Sequence, residues 1–164
     1  MSWTAGAFVN QLTTLLSGRA VLVAMTNPKL EIGSMLPARD LAIGDQLAIG
    51  YRVDDEHLQA LLPVGHDNNV NVECWLAVVR VGEGEPVAAE ARTDATTILN
   101  DIDAAIIGDL TPGGARSLDV GTLTIKAGVS RRVMLQYATT VDNSIPARVC
   151  QLDFTVTYMA RTST

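Results

Sequence analysis

Aromatic side chains make up only 4% of this sequence. Its core must therefore be filled by Val, Leu, Ile and Ala, which bring the hydrophobic fraction to 48% against 18% charged residues. That balance belongs to a folded chain, not a disordered one. Positive charge is also short: 12 Lys and Arg face 18 Asp and Glu, a net charge of −6. A nucleic-acid reader needs a basic patch to neutralise phosphates, so that class is disfavoured. A surface that DNA passes without sticking to is not. Cysteine is limited to Cys74 and Cys150, each in a strand-like apolar run with no cationic neighbour to favour a thiolate. They read as buried free thiols, since a disulfide framework uses more cysteines. Long apolar runs are missing too, and none approaches the ~20 residues of a membrane span. The opening "MSWTAGAFVNQLTTLLSG" has neither a basic n-region nor a continuous apolar h-region. The expectation is a soluble protein made in a reducing cytoplasm.

With 164 residues, the chain is read as a single domain over 1–164, long enough to bury a real core. From Thr4 to Leu16, Phe8, Val9, Leu12, Leu15 and Leu16 recur at helical spacing, with Thr4 or Ser2 as cap and Gly18 as stop. "RAVLVAM" (19–25) reads as a short strand. Residues 26–44, containing Pro28 and Pro37, lack periodicity and read as an arm or extended loop. "DQLAIGYRV" (45–53) alternates, which predicts Leu47, Ile49, Tyr51 and Val53 on one face. A polar excursion over 54–68, with room for one helical turn, separates it from "NVNVECWLAVVRV" (69–81). There Val70, Val72, Cys74, Leu76 and Val78 share a side.

The central helix carries the clearest signals. Pro86 suits a first helical position and Gly108 a site just past the end. Between them Val87, Ala91, Ala95, Ile98, Leu99, Ile102 and Ile106 form a stripe. Roughly 22 residues at 1.5 Å each give a length of about 33 Å, enough to cross a sheet. After "LTPGGARS" come "VGTLTI" (120–125) and "RRVMLQYA" (131–138), with "KAGVS" between them as a hairpin. In "ARVCQLDFTVTYMA" the residues Cys150, Leu152, Phe154, Val156 and Tyr158 alternate with Gln151, Asp153, Thr155 and Thr157. One apolar and one polar face mark an antiparallel strand. The order α-β-β-β-α-β-β-β predicts an α+β fold. Its sheet is mainly antiparallel, with an N-terminal helix and one long central helix packed on one face.

Chemistry is harder to find. Gly82-Glu83-Gly84 before a helix resembles a phosphate-binding turn. However, the third glycine position holds Val87, two glutamates occupy the place of a pyrophosphate, and no βαβ pattern surrounds it. It reads as an acidic connector. Asp54, Asp55, Glu56 and His57, with His66 and Asp67 nearby, match no zinc or EF-hand spacing and read as a solvated loop. Both histidines sit in that loop, and there is no G-x-S-x-G elbow. No catalytic, cofactor-binding or metal-binding residue is assigned, and no enzyme is expected. One feature is frustrated: Asp101, Asp103 and Asp109 crowd the C-terminal end of the central helix, where the dipole favours cations. An exposed end tolerates such repulsion. The sharper expectation is that Arg131 or Arg132 of a neighbouring chain compensates it, which makes these five residues candidates for a subunit interface.

The second half of the chain carries a resemblance. The strand "NVNVECWLAVVRV" leads to the Ala-rich helix "PVAAEARTDATTILNDIDAAI", then to a Gly-Gly turn, a hairpin, and a last strand ending "DFTVTYMART". This order resembles the tail terminator, or tail completion, proteins of long-tailed bacteriophages of the lambda-like group, which also begin with a helix followed by strands. The resemblance covers most of 69–161 and, loosely, 4–25, but not 26–44 or 54–68. It implies a ring, commonly of six subunits, that caps the tail tube, ends its polymerisation and offers a joining surface to the head. It also implies a virion protein of the tail or neck, assembled in the host cytoplasm. Its partners would be the tube protein and a head-completion or connector protein, with no membrane. DNA would traverse the lumen without sequence-specific binding, and an acidic lumen would repel its phosphates. The alternatives are a tail tube or other neck ring protein and, from another class, a small-molecule binding module with a cavity between sheet and helix.

Overall fold

The computed structural model describes residues 5–24, 30–34, 44–57, 66–119 and 123–162. Phe8, Leu12 and Leu16 lie about one turn apart, and helix α1 (Ala5–Ser17) buries all three, as the 3.6-residue period requires. Its expected caps, Thr4 and Ser2, lie outside the described residues. The strand expected over 19–25 is instead a five-residue helix, α2 (Ala20–Ala24). Arg19 N–H donates to the Leu16 carbonyl at 3.1 Å, and Val23 N–H to the Arg19 carbonyl at 2.9 Å, so helical bonding resumes just past Gly18. A short apolar run has no decisive period. Leu22 is the one buried residue of α2, while Val21 and Val23 face outward.

Strand β1 (Glu31–Gly33) lies within the stretch expected to be a loop; 25–29 and 35–43, with Pro28 and Pro37, fall outside the described residues. It pairs in parallel with β2 (Gln46–His57). β2 in turn pairs antiparallel with β3 (His66–Val81). The two ends of the expected polar excursion are therefore strand: Asp54 pairs with Asn71 and His57 with Asn68. The middle, 58–65, is not described. The four residues expected on one face of β2 are also divided. The register shifts between Ile49 and Arg52. Val53 packs with Leu47 and Ile49 against the helices, while Tyr51 joins Ala48, Trp75 and Ala77 on the far face. Gly50 makes this possible. Its φ is +71°, and a Cβ there would stand 2.7 Å from Val9 Cγ2 of α1, so any other residue would be both strained and obstructed.

Helix α3 (Glu85–Leu110) starts with Pro86 in its first turn after Gly84 at φ 88°. It runs two residues past Gly108 and ends where Thr111 N–H donates to the Ile107 carbonyl at 3.0 Å. Its 26 residues span about 39 Å at 1.5 Å each. The hairpin expected at "KAGVS" is absent. Instead β4 (Leu123–Val141) runs unbroken through it, with register irregularities between Thr124 and Lys126 and between Val129 and Arg131. An extra residue at each point is absorbed as a bulge, not released as a turn. The true hairpin follows, where Asp142 (φ 50°) and Asn143 (φ 69°) supply the left-handed conformations that short polar side chains tolerate. It leads into β5 (Ile145–Thr162).

The sheet order is β1-β2-β3-β5-β4, antiparallel except for β1–β2. The fold is α+β, as expected, with the element order ααβββαββ. On one face, α1 and α3 cover alternate residues of β3 and β5. Val72 pairs with Val156, Cys74 with Phe154, Leu76 with Leu152 and Val78 with Cys150, all buried beneath Ala91, Ala95, Ile98, Ile102 and Ile106. Burying each of those isoleucines contributes about 1.5–3 kcal/mol. The small alanines let the helix lie close to the sheet. Phe8 stacks on Tyr158 at 3.7 Å and 14°, adding about 0.5–1.5 kcal/mol beyond burial.

Candidate assembly surface

The aspartates near the end of α3 have partners within the chain. Arg19 grips Asp101 with two bonds, Nη2 to Oδ1 at 2.7 Å and Nε to Oδ2 at 3.2 Å. That hydrogen bond raises the Arg19 pKa above its ordinary value. Asp103 Oδ1 accepts the Val129 N–H at 3.2 Å, at the second bulge of β4. Asp109 is buried and accepts three bonds: from Ser117 N–H at 2.9 Å, Ser117 Oγ at 2.6 Å and Leu118 N–H at 3.0 Å. It holds the Gly-Gly turn against the helix end, where a Cβ on Gly114 would collide with the Gly108 carbonyl. Each carboxylate thus fixes a different neighbouring segment: α2's start, β4's bulge, and the turn after α3. Arg131 and Arg132 lie elsewhere, exposed on β4.

A second charged group was not visible in the sequence. Asp45 is fully buried and Arg80 is 8% exposed. Arg80 Nη1 and Nη2 donate to the two Asp45 oxygens at 2.7 and 3.0 Å, and Nη2 and Nε donate to Asp94 Oδ2 at 2.7 and 3.0 Å. Asp45 Oδ1 also accepts the Val79 N–H at 3.1 Å. Burial pulls the guanidinium pKa down, but Asp45 and Asp94 outweigh it and the net shift is upward. Two acids on one arginine hold the start of β2, the end of β3 and the first half of α3 together. The three residues are 35 and 14 positions apart, so no local motif announces them.

Other expected features fall into place around this frame. The Gly82-Glu83-Gly84 turn has positive φ at both glycines. Ala88 N–H donates to the Gly84 carbonyl, and Gly82 N–H to Pro146. Glu85 pairs with Arg92 at 2.6 Å. β3 has antiparallel neighbours on both sides, and the parallel strand reached through α3, β4, is separated from it by β5. Among the described residues no three His, Cys, Asp or Glu side chains gather as metal ligands; the side chains of Asp55, Glu56, His57, His66 and Asp67 lie outside them. Cys74 and Cys150 are free and buried, and burial pushes the Cys74 thiol up to about 12. The space between sheet and α3, where a small-molecule module would have its cavity, is filled by the isoleucines and alanines of the core.

Polar groups collect on the opposite face. Ser130 Oγ lies 2.6 Å from Thr157 Oγ1, which donates to Asn71 Oδ1 at 2.9 Å. One row along, Thr155 Oγ1 donates to Glu73 Oε2 at 2.9 Å. These bonds tie β4, β5 and β3 laterally, and Ser130, Thr157 and Asn71 line a half-open groove of about 500 Å³ beside Gly128 and Met159.

The least covered element is β4. It is the last strand of the sheet, so its outer N–H and C=O groups lack a strand partner among the described residues. Side chains from Ser130 to Gln136 are exposed on both faces. They include Val133 at 42%, Met134 at 44% and Leu135 at 52%. Three exposed apolar residues in succession on an edge strand form a template for another chain. "RRVMLQYA" carried that signal in its lack of alternation.

No protein-family model matches the chain, and no curated protein matches it. Among solved structures, it is similar to a chain from the virion of the native gene transfer agent (GTA) particle. The likeness covers 98% of this chain and 100% of that one at a TM-score of 0.50, with 15% sequence identity. At that identity the likeness is one of fold.

Proposed function

We propose that this chain is a structural virion protein that closes into a ring, caps the tail tube, ends its polymerisation and provides the surface for head joining. The supporting observation is the end-to-end likeness in fold to a chain of the GTA virion. It accords with the resemblance of residues 69–161 to tail terminators. In this reading the chain catalyses nothing, and its outward-facing chemistry serves contact. The partners are copies of itself, commonly six in all, the tube protein on one side and a head-completion or connector protein on the other. DNA passes through the lumen unread, and the net charge of −6 keeps phosphates from being trapped. Among the described residues no helix is long and apolar enough to cross a membrane, which is compatible with a place in the tail or neck. The aspartates of α3 are satisfied internally, so Arg131 and Arg132 remain the interface residues of this proposal.

The test is the solution mass by light scattering, with negative-stain images of the same sample, then addition of tail tubes from the cognate particle. Closed rings that sit at tube ends support the terminator. Long filaments of the protein alone would transfer the assignment to the tube protein, whose two faces must stack without end. A chain that neither closes nor caps tubes refutes the reading.

A further inference from the structure

Among the described residues the sheet has two long open edges, beside the short outer edge of the three-residue β1. β4 is one, 19 residues long. The other is the far part of β2, because β1 covers only Gln46–Ala48 and, among the described residues, no strand lies outside Arg52–His57. Their charges are opposite. β4 contains Lys126, Arg131 and Arg132 and no acidic residue, whereas Arg52–His57 contains Asp54, Asp55 and Glu56 against one arginine, Arg52, which pairs with Asp54 at 3.2 Å. The faces also correspond. Asp54 pairs with Asn71 and Arg131 with Thr155, and Asn71 and Thr155 both belong to the polar face away from the helices. In a sheet continued from one copy to the next, Asp54 and Arg131 therefore belong to one face.

We infer that the outer edge of β4 pairs with the Arg52–His57 edge of β2 in a second copy of this chain, head to tail, so that the sheet continues through the assembly. This rests on the ring reading and specifies its contact. Backbone hydrogen bonds supply the attraction between edges. Val133, Met134 and Leu135 lose water on pairing, and the opposite charges select which edge meets which. Pairing β4 with β4 would bring together two edges of the same sign and stop at a dimer. A contact between unlike edges repeats and closes when the rotation allows.

Complementary charge reversals provide the test. One variant carries Arg131→Glu and Arg132→Glu, the other Asp54→Lys and Asp55→Lys. Unchanged thermal melting by circular dichroism verifies the fold of each. Each variant alone faces acid with acid or base with base. Each is expected to assemble about tenfold to a hundredfold more weakly than the wild type, from one to a few kcal/mol of lost cross-strand attraction. An equimolar mixture restores unlike edges at every contact and is expected to regain closed assemblies with the two variants alternating. A chain carrying all four changes should assemble by itself. Single variants that assemble like the wild type would overturn the edge contact and leave the ring reading standing. A mixture that gives only mixed dimers would assign β4 to a self-contact instead. A wild type that stays monomeric together with the mixture overturns the edge contact, and the tube-capping experiment then judges the ring reading separately.

Discussion

The centre of the sheet and its outer strand are made of comparable apolar residues and meet opposite conditions. β3 and β5 have strands on both sides and helices on one face, and their alternate residues are buried from Val70 to Val78 and from Cys150 to Tyr158. β4 has one strand neighbour, and the side chains of Ser130–Gln136 are all exposed. In the centre, every described charge with low exposure has a partner, as with Asp45, Arg80 and Asp109. Along β4 Arg131 and Arg132 are exposed, free to meet solvent or another chain. One region specifies the fold and the other offers contact, so changes in the two should separate stability from assembly.

The largest loss of stability is expected from Asp45→Ala. It leaves Arg80 buried without its most deeply buried acid, with Asp94, the Val79 carbonyl and the more distant Glu90 remaining, and orphans the Val79 N–H, a cost of about 3–5 kcal/mol. Urea unfolding measures it, and a change below ~1 kcal/mol would show that Asp94 alone suffices. Next comes Gly50→Ala, which forces a Cβ onto Val9 at a positive φ and should cost about 2 kcal/mol. If its midpoint matched the wild type, the close approach of α1 to β2 would be wrong.

A smaller effect depends on pH. Burial raises the Cys74 thiol from an ordinary 9.0 to about 12, so the folded chain keeps a proton that the unfolded chain releases. The resulting stability is complete below pH 9 and is lost progressively as pH rises toward 12. Stability plotted against pH should fall less steeply in Cys74→Ala over that window; parallel curves would contradict the shift. The smallest effect on folding is expected from Val133→Thr with Leu135→Thr, less than about 0.5 kcal/mol by urea unfolding. Assembly should nevertheless weaken in the same sample by light scattering. A large loss of stability there would erase the distinction between the two regions.

Legibility in the sequence followed the same division. α3 was readable because Pro86 and a long apolar stripe agree, and β5 because its alternation is strict. The sequence of β4 reads as two strands because Gly128 and its neighbours look like a turn, whereas bulges absorb the extra residues. α2 reads as a strand because Val and Leu in so short a run fit either period. The Asp45–Arg80–Asp94 group joins residues from three elements, so only the folded chain assembles it. Arg131 and Arg132 were visible as candidates from their sequence. Their setting, an edge with an uncovered apolar run beside it, depends on the strand order.

The two bulges of β4, near Ile125 and Ser130, have a bearing on precision of fit. A uniform strand edge is a ruler without marks, along which a neighbour can slide by two residues and meet the same pattern again. A bulge is a mark. The Val129 N–H at the second one is held by Asp103, so α3 keeps that mark in place. A neighbouring chain sliding along this edge would run into an irregularity at one end, which gives the contact a zero point.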